Sequence, residues 1–176
     1  MGAEGNMKRV IIIGGNGSGK TTFAYILAEM TGFPLIHTDA IYWKDHWESV
    51  SREEFDEIMQ EELKKEEWIV DGNNICSIPR RLELCDTVFY FDFPSLICLW
   101  GVFSRCIKNH GKSRPDMGGY CPERIDLYFY KQVLSFNKRN RKKLYAMIEE
   151  AQDVKCIVFR NRRQVKRYLR EMAGEC

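Results

Sequence analysis

The stretch Gly14-Gly-Asn-Gly-Ser-Gly-Lys-Thr21 decides the fold of this chain. It follows a β-branched run, Arg9 to Ile13, that suits a buried strand, and it precedes apolar residues at helical spacing from Phe23 to Met30. The spacing Gly-x-x-x-x-Gly-Lys-[Ser/Thr] between a strand and a helix is typical of a phosphate-binding loop, or P-loop. The alternative is a chance glycine-rich turn.

The residue types of this loop match the chemistry of phosphate binding. Glycines let the backbone wrap closely around a phosphate and point successive amides inward, and the helix that follows adds its positive end. Lys20 can reach the β- and γ-phosphates, and the Thr21 hydroxyl can bind Mg²⁺. The sequence therefore predicts binding of ATP with Mg²⁺ through Gly14, Gly15, Asn16, Gly17, Ser18, Gly19, Lys20, Thr21 and Thr22.

The rest of the chain alternates short apolar runs with helical patterns. Apolar runs at 35–37, 68–70, 87–91 and 155–159 predict four further strands. Parallel strands need crossovers, and helices are the usual crossovers. We therefore predict an α/β P-loop NTPase fold with about five parallel strands flanked by helices. It is expected to form one domain over 7–176 with a short lid at about 108–122, after a flexible leader at 1–6.

Composition narrows the class of protein and its location. The chain has 176 residues, 44% of them hydrophobic, and a formal charge of +2, which is ordinary for a globular protein. Its most apolar stretch, Leu96 to Phe103, is too short to span a bilayer, and no secretory pattern opens the sequence. We expect a cytoplasmic protein with no membrane partner. The 7 cysteines favour reduced, packed thiols, with a partial zinc site at Cys106, His110 and Cys121 as the alternative.

Acidic residues follow two predicted strands at the sheet edge where ligands bind in open α/β folds. Asp71 ends the third strand and is predicted to hold Mg²⁺ or its water, with a turn-forming Asp-Gly pair as the alternative. Asp39 follows the second strand and is predicted to orient the acceptor hydroxyl or act as its base. A helix cap near Ala40 is the alternative for Asp39. Asn73 is placed on the substrate side of the same edge.

Charge is strongly segregated along the chain. Residues 45–67 carry 10 acids and 3 bases, whereas residues 104–143 carry 11 bases and 3 acids. The basic stretch surrounds a loop rich in Gly and Pro, and a mobile lid is the usual way to bring positive groups over a transferring phosphate. Arg105 and Arg114 are therefore predicted to be catalytic together with Lys20 and Asp39. A solvated helix face is the alternative for any single arginine.

Motifs along nearly the whole chain, from Met7 to about Met172, resemble the bacterial proteins known as DNA topology modulation proteins. That group belongs to the P-loop kinases related to adenylate kinase. The resemblance implies that Arg81 lies on the substrate side and that Arg160 and Arg162 lie near the adenine. Asn73 and Asn74 stand where adenylate kinases have Phe-Pro-Arg, which disfavours AMP as acceptor. The resembling stretches are Gly14–Thr21, Leu35–Asp39, Ile41–Trp43, Trp68–Asn73, Arg81-Leu82, Asp86, Leu99-Trp100, Arg105, Gly111–Asp116 and Cys121-Pro122.

Three functions compete on this evidence. The first is an ATP-dependent phosphotransferase of the nucleoside or nucleotide kinase type, which moves the γ-phosphate to a small acceptor. The second is a nucleotide-dependent regulator affecting DNA topology, for which only the basic cluster Lys138 to Lys143 offers a surface. The absence of a helix-turn-helix or zinc-finger pattern disfavours direct DNA binding. The third is a slow ATPase that acts as a switch.

Overall fold

A computed structural model describes residues 7–174, and the predicted leader at 1–6 lies outside the described residues. Five strands form where the apolar runs predict them, because each run is bounded by turn-forming or polar residues. Three of the strands, the second, fourth and fifth, have the predicted bounds. The strands are β1 (Arg9–Gly14), β2 (Leu35–His37), β3 (Trp68–Asp71), β4 (Thr87–Phe91) and β5 (Lys155–Phe159).

Within residues 7–174, seven α-helices connect and cover these strands. The helix after the second strand begins at Thr38 rather than near Ala40, and the 24-residue helix begins at Leu127, although Pro122 could also open a helix at its first turn. Asp126 caps that helix by accepting a hydrogen bond from the Phe129 amide at 3.0 Å. The helices are α1 (Lys20–Thr31), α2 (Thr38–Tyr42), α3 (Arg52–Leu63), α4 (Ile78–Leu82), α5 (Ser95–Lys108), α6 (Leu127–Glu150) and α7 (Arg162–Met172).

All strand pairs are parallel, and the order across the sheet is β2-β3-β1-β4-β5. The register aligns His37 with Asp71, Ile12 with Asp71, and Gly14 with Phe91. The carboxyl ends of β1, β2 and β3 therefore meet at one edge, with the P-loop beside the ends of its neighbours. This arrangement confirms the predicted five-stranded parallel α/β fold.

The sheet is buried on both faces, which explains why its strands are continuous apolar runs. Phe23 of α1 lies in the core on one face, with ring centroids 4.8 Å from Phe89, 5.5 Å from Phe91 and 5.7 Å from Phe159. These edge-on contacts fix α1, and the P-loop opens directly into its first turn. In the described part of the chain, no helix is long and apolar enough to cross a bilayer.

Candidate active site

The P-loop adopts a backbone that requires glycine. Gly17 and Gly19 have φ of 83° and 99°, which lies in the left-handed region that glycine enters without a steric penalty. The Lys20 ammonium is buried and donates to the Gly15 carbonyl at 3.0 Å. Burial lowers the pKa of Lys20. The negative charges of Asp71 and Asp39 act in the opposite direction and raise it. The lysine is therefore held inside the loop, between phosphate-binding amides and the acids of the neighbouring strands.

Helix α5 supports the P-loop from outside. A Cβ on Gly17 would lie 2.2 Å from the Cys98 carbonyl oxygen, and a Cβ on Gly101 would lie 2.0 Å from the Gly17 carbonyl oxygen. Both distances are far below van der Waals contact, so two glycines allow loop and helix to touch backbone to backbone. The position of α5 thus sets the position of the phosphate-binding amides.

Thr21, Asp71 and His37 form a polar cluster at the carboxyl ends of β2 and β3. The Thr21 hydroxyl donates to Asp71 Oδ2 at 2.7 Å, and His37 Nδ1 lies 3.2 Å from the same oxygen. The other carboxylate oxygen, Asp71 Oδ1, is buried and has no hydrogen-bond partner among the described residues. Buried polar atoms are rarely left unpaired, so this oxygen is free to accept from an added group.

This cluster fits the predicted Mg²⁺. Mg²⁺ prefers oxygen donors, binds through one or two carboxylates, and keeps several of its waters. Thr21 and Asp71 supply a hydroxyl and a carboxylate with an unpaired oxygen, beside the loop that would hold the phosphates. In the described residues, no group of three or more His, Cys, Asp or Glu side chains could form a closed metal site, including the zinc alternative at Cys106, His110 and Cys121.

Asn73 and Arg81 hold the loop after β3. Asn73 Oδ1 accepts from the Gly14 amide at 3.0 Å, which ties this loop to the P-loop. The Arg81 guanidinium donates to the carbonyls of Gly72, Asn73 and Asn74 at 2.9, 2.7 and 3.3 Å. Arg81 is 0% exposed, so in this structure it has no surface to offer a substrate and instead shapes the loop. In this structure Arg81 supports the loop after β3, and the substrate-side role implied by the resemblance stays a prediction.

Asp39 is the second residue of α2, and no side chain caps this helix. The cap alternative for Asp39 is therefore wrong, and the carboxylate is free for another role. The side chain is open to the cleft, yet the dense protein around it raises the pKa of its carboxyl. The positive charges of Arg114 and Lys20 oppose that increase. The charges of the lid and of the P-loop therefore both act on the Asp39 carboxylate.

The predicted lid lies between α5 and α6, and it brings its arginines together. Arg105 Nε and Arg114 Nε lie 2.8 and 2.9 Å from one oxygen of Glu123, a carboxylate that is 5% exposed. Arg114 also forms an ion pair with Asp116, and its remaining nitrogen lies 3.0 Å from Met117 Sδ. Burial, and the neighbouring charge of Arg114, lower the pKa of Arg105.

The lid packs directly on the segment that follows Asp39. Asp45 Oδ1 accepts from the Tyr120 amide at 2.6 Å, and the Trp47 indole donates to the Pro122 carbonyl at 3.3 Å. A Cβ on Gly118 would lie 1.9 Å from the Ala40 carbonyl oxygen. The lid and the acceptor-side helix are therefore in backbone contact, so the cleft that contains Asp39 is bounded by the lid.

An open pocket of about 610 Å³ lies on the outer side of α5. Of the two arginines that the resemblance places near the adenine, Arg162 lines this pocket and Arg160 does not, and their role in binding the base stays a prediction. Trp100 is 64% exposed there, although aromatic side chains are usually more deeply buried. An apolar wall with cationic neighbours suits a nucleotide base. The lining residues are Leu96, Ile97, Trp100, Asn161, Arg162 and Arg163.

Sequence reasoning missed several residues of this region. Glu123 and Asp116 are two of the few acids within the basic stretch, and this could have indicated that they pair with its arginines. The apolar wall formed by Leu96 and Trp100 could also have been predicted, because apolar residues continue around the outward side of α5. No local pattern marks the contact between His37 and Asp71, because its residues are 34 positions apart.

Comparison with known proteins supports the fold. The chain matches no family model and no curated protein. Among solved structures, it is similar to a shikimate kinase from Bacteroides thetaiotaomicron, at 15% identity over 96% of this chain and 98% of that chain, with a TM-score of 0.59. It is also similar to a shikimate kinase from Acinetobacter baumannii in complex with shikimate, at 17% identity over 96% and 94%, with a TM-score of 0.56. This likeness confirms the P-loop α/β fold, while the resemblance to DNA topology modulation proteins stays a prediction.

Proposed function

We propose that the chain is an ATP-dependent phosphotransferase that moves the γ-phosphate of ATP to a hydroxyl of a small acceptor. The observation that carries the proposal is the position of Asp39 just after β2, two residues beyond the pairing of His37 with Asp71 and one residue before Ala40, whose carbonyl lies against Gly118 of the lid. A simple nucleotide switch needs no carboxylate opposite the phosphate-binding lysine. The likeness to two shikimate kinases, which share the fold, is compatible with this chemistry.

The nucleotide would lie along the P-loop, with its base in the pocket beside Trp100. The P-loop amides and Lys20 would bind the β- and γ-phosphates. Thr21 and Asp71 would hold Mg²⁺, which neutralises phosphate charge when bound. Arg105 would approach the γ-phosphate from the lid and stabilise the charge that develops during transfer.

Transfer forms one bond and breaks another. Asp39 accepts a hydrogen bond from the acceptor hydroxyl and takes its proton as the oxygen attacks the γ-phosphorus. The bond between the γ-phosphorus and the β,γ-bridging oxygen breaks, and ADP leaves. The contact between Gly118 of the lid and the Ala40 carbonyl of α2 would close this side of the acceptor site and limit the access of water to the phosphate.

The function is tested by ADP release across a panel of nucleosides, nucleotides and small hydroxylated metabolites. The proposal expects ATP turnover to rise at least tenfold with one class of acceptor, and Lys20→Ala to abolish that rise. Lys166→Ala is the matched control, because this exposed lysine of α7 lies outside the cleft. ATP turnover that no acceptor accelerates would favour the ATPase switch and contradict a phosphotransferase.

A further inference from the structure

Glu123 is a buried carboxylate that the proposed reaction does not use. It lies in the lid, where its amide donates to the Lys112 carbonyl at 3.0 Å and its carbonyl accepts from the Gly111 amide at 3.0 Å. The backbone of Glu123 is thereby fixed on both sides. The side chain is 5% exposed and makes its contacts with Arg105 and Arg114 rather than with water.

The two arginines share Glu123 unequally. Arg114 is surrounded on every nitrogen, with Glu123 at Nε, Asp116 at Nη1 and Met117 at Nη2. Its side chain is 12% exposed. Arg105 pairs with Glu123 by charge at its Nε side, where the two atoms lie 2.8 Å apart without an aligned hydrogen bond, and within residues 7–174 its two terminal nitrogens have no hydrogen-bond partner. The terminal nitrogens of Arg105 are therefore free, whereas both terminal nitrogens of Arg114 are occupied.

Arg105 lies four residues after Gly101 on α5, on the helix face that touches the P-loop at Gly17. Its side chain is therefore on the side of α5 that carries the phosphate-binding loop. A guanidinium that is paired on its Nε side leaves its two terminal nitrogens as a planar fork, and this geometry matches a phosphate. Two arginines this close repel each other, so the shared carboxylate also makes their proximity tolerable.

We propose that Glu123 is a positioning residue that holds Arg105 by a buried ion pair on its Nε side, so that the terminal nitrogens of Arg105 bind the terminal phosphate of ATP. This inference rests on the ATP site of the proposed function but not on the transfer step. It also gives the two lid arginines different roles: Arg114 belongs to the supporting network with Asp116, and only Arg105 contacts the phosphate.

Charge and orientation predict opposite results for Glu123→Gln. The glutamine keeps the size of the side chain and removes one negative charge near the phosphates. If Glu123 acted only through charge, ATP would bind more tightly in the variant, because a repulsive group is gone. If Glu123 positions Arg105, ATP loses a charge-assisted contact that ADP never makes, and the preference for ATP over ADP falls about tenfold.

The experiment measures dissociation constants of ATP and ADP by calorimetry in the presence of Mg²⁺, without an acceptor. Arg105→Ala is expected to lower the ATP-over-ADP preference about tenfold. Glu123→Gln is expected to match it, and the double variant is expected to fall less than about twofold further, because both changes remove the same contact. Glu149→Gln, at an exposed acid of α6, is the control and leaves the preference unchanged.

Glu123→Asp tests the geometry with the charge retained, since the side chain is one methylene shorter. It is expected to lower the preference as well, and it also serves if Glu123→Gln does not fold. An unchanged or increased preference in the folded Glu123 variants would overturn the inference. A preference for ATP that Glu123→Gln lowers by the same factor in the wild type and in Arg105→Ala would also overturn the inference, because it would mean that Glu123 acts independently of Arg105. A preference that changes as expected in a protein that transfers no phosphate would overturn only the proposed function.

Discussion

The variant Gly101→Ala has two opposing effects: alanine favours the helix, whereas its Cβ collides with the P-loop. Gly101 lies inside α5, where alanine favours an isolated helix by about 1 kcal/mol. The new Cβ would lie 2.0 Å from the Gly17 carbonyl oxygen. A carbon–oxygen contact needs about 3.3 Å, so the loop must retreat by about 1.3 Å. Both partners are backbone, which places the overpacking cost at the upper end of about 1–3 kcal/mol. The variant is expected to be about 1–2 kcal/mol less stable than the wild type.

The retreat of the loop matters more for binding than for stability. A shift of about 1 Å removes at least one amide–phosphate hydrogen bond, so the affinity for ATP is expected to fall about 10–100-fold. Urea denaturation measures the stability, and calorimetry measures the affinity. Ser104→Ala, three positions further along α5, is the control and leaves the affinity unchanged. A Gly101→Ala protein that is more stable than wild type and binds ATP normally would refute the packing of the P-loop on α5.

Three further variants test the acceptor side and its supports. Asp39→Asn is expected to lower turnover about 10²–10⁴-fold with little change in ATP affinity. Since the pKa of Asp39 is raised, wild-type turnover rises with pH through a value above that of an ordinary carboxyl, and the pH profile of the variant should lack this limb. Arg81→Leu leaves three carbonyls without their donor and should cost about 3 kcal/mol in urea denaturation, whereas a loss below about 1 kcal/mol would contradict the role of Arg81. Gly118→Ala pushes the lid from the Ala40 carbonyl, so ATP hydrolysis without acceptor should increase relative to transfer; an unchanged ratio would argue against water exclusion by this contact.

The raised pKa of Asp39 also has a consequence for folding. Its carboxyl binds protons more tightly in the folded chain than in the unfolded chain, so its contribution favours the folded state below the unfolded pKa. That contribution is lost as the pH rises through the folded pKa. The effect is small, because the side chain is open to water in the cleft and solvent screens its charge. The pH dependence of turnover therefore carries more information on Asp39 than the pH dependence of stability.

The strands and the P-loop could be predicted because their determinants are local. A buried parallel strand is a continuous apolar run, and the P-loop combines its glycines with Lys20 in eight consecutive residues. The start of α6 at Leu127 could not be read from Pro122, because proline is permitted at the first turn of a helix and does not require one. In the structure Pro122 pairs with Ser113 inside the lid, and Asp126 provides the cap instead.

The supports of the site could not be predicted, because their partners are distant in sequence. Arg81 looks like a surface arginine until the loop after β3 folds back over it. Glu123 is 18 positions from Arg105, and only the fold of the lid brings the two side chains into contact. Residue types at a sheet edge indicate the chemistry of a site, whereas the groups that hold those residues in place depend on tertiary packing.

The most direct test of the account is the fate of the labelled γ-phosphate of ATP. The protein is incubated with γ-labelled ATP, Mg²⁺ and the acceptor panel, and label is counted in acceptor and in inorganic phosphate. The account predicts label in one acceptor class above the label in inorganic phosphate, with both counts lost in Lys20→Ala. Label found only in inorganic phosphate, whatever the acceptor, would contradict it.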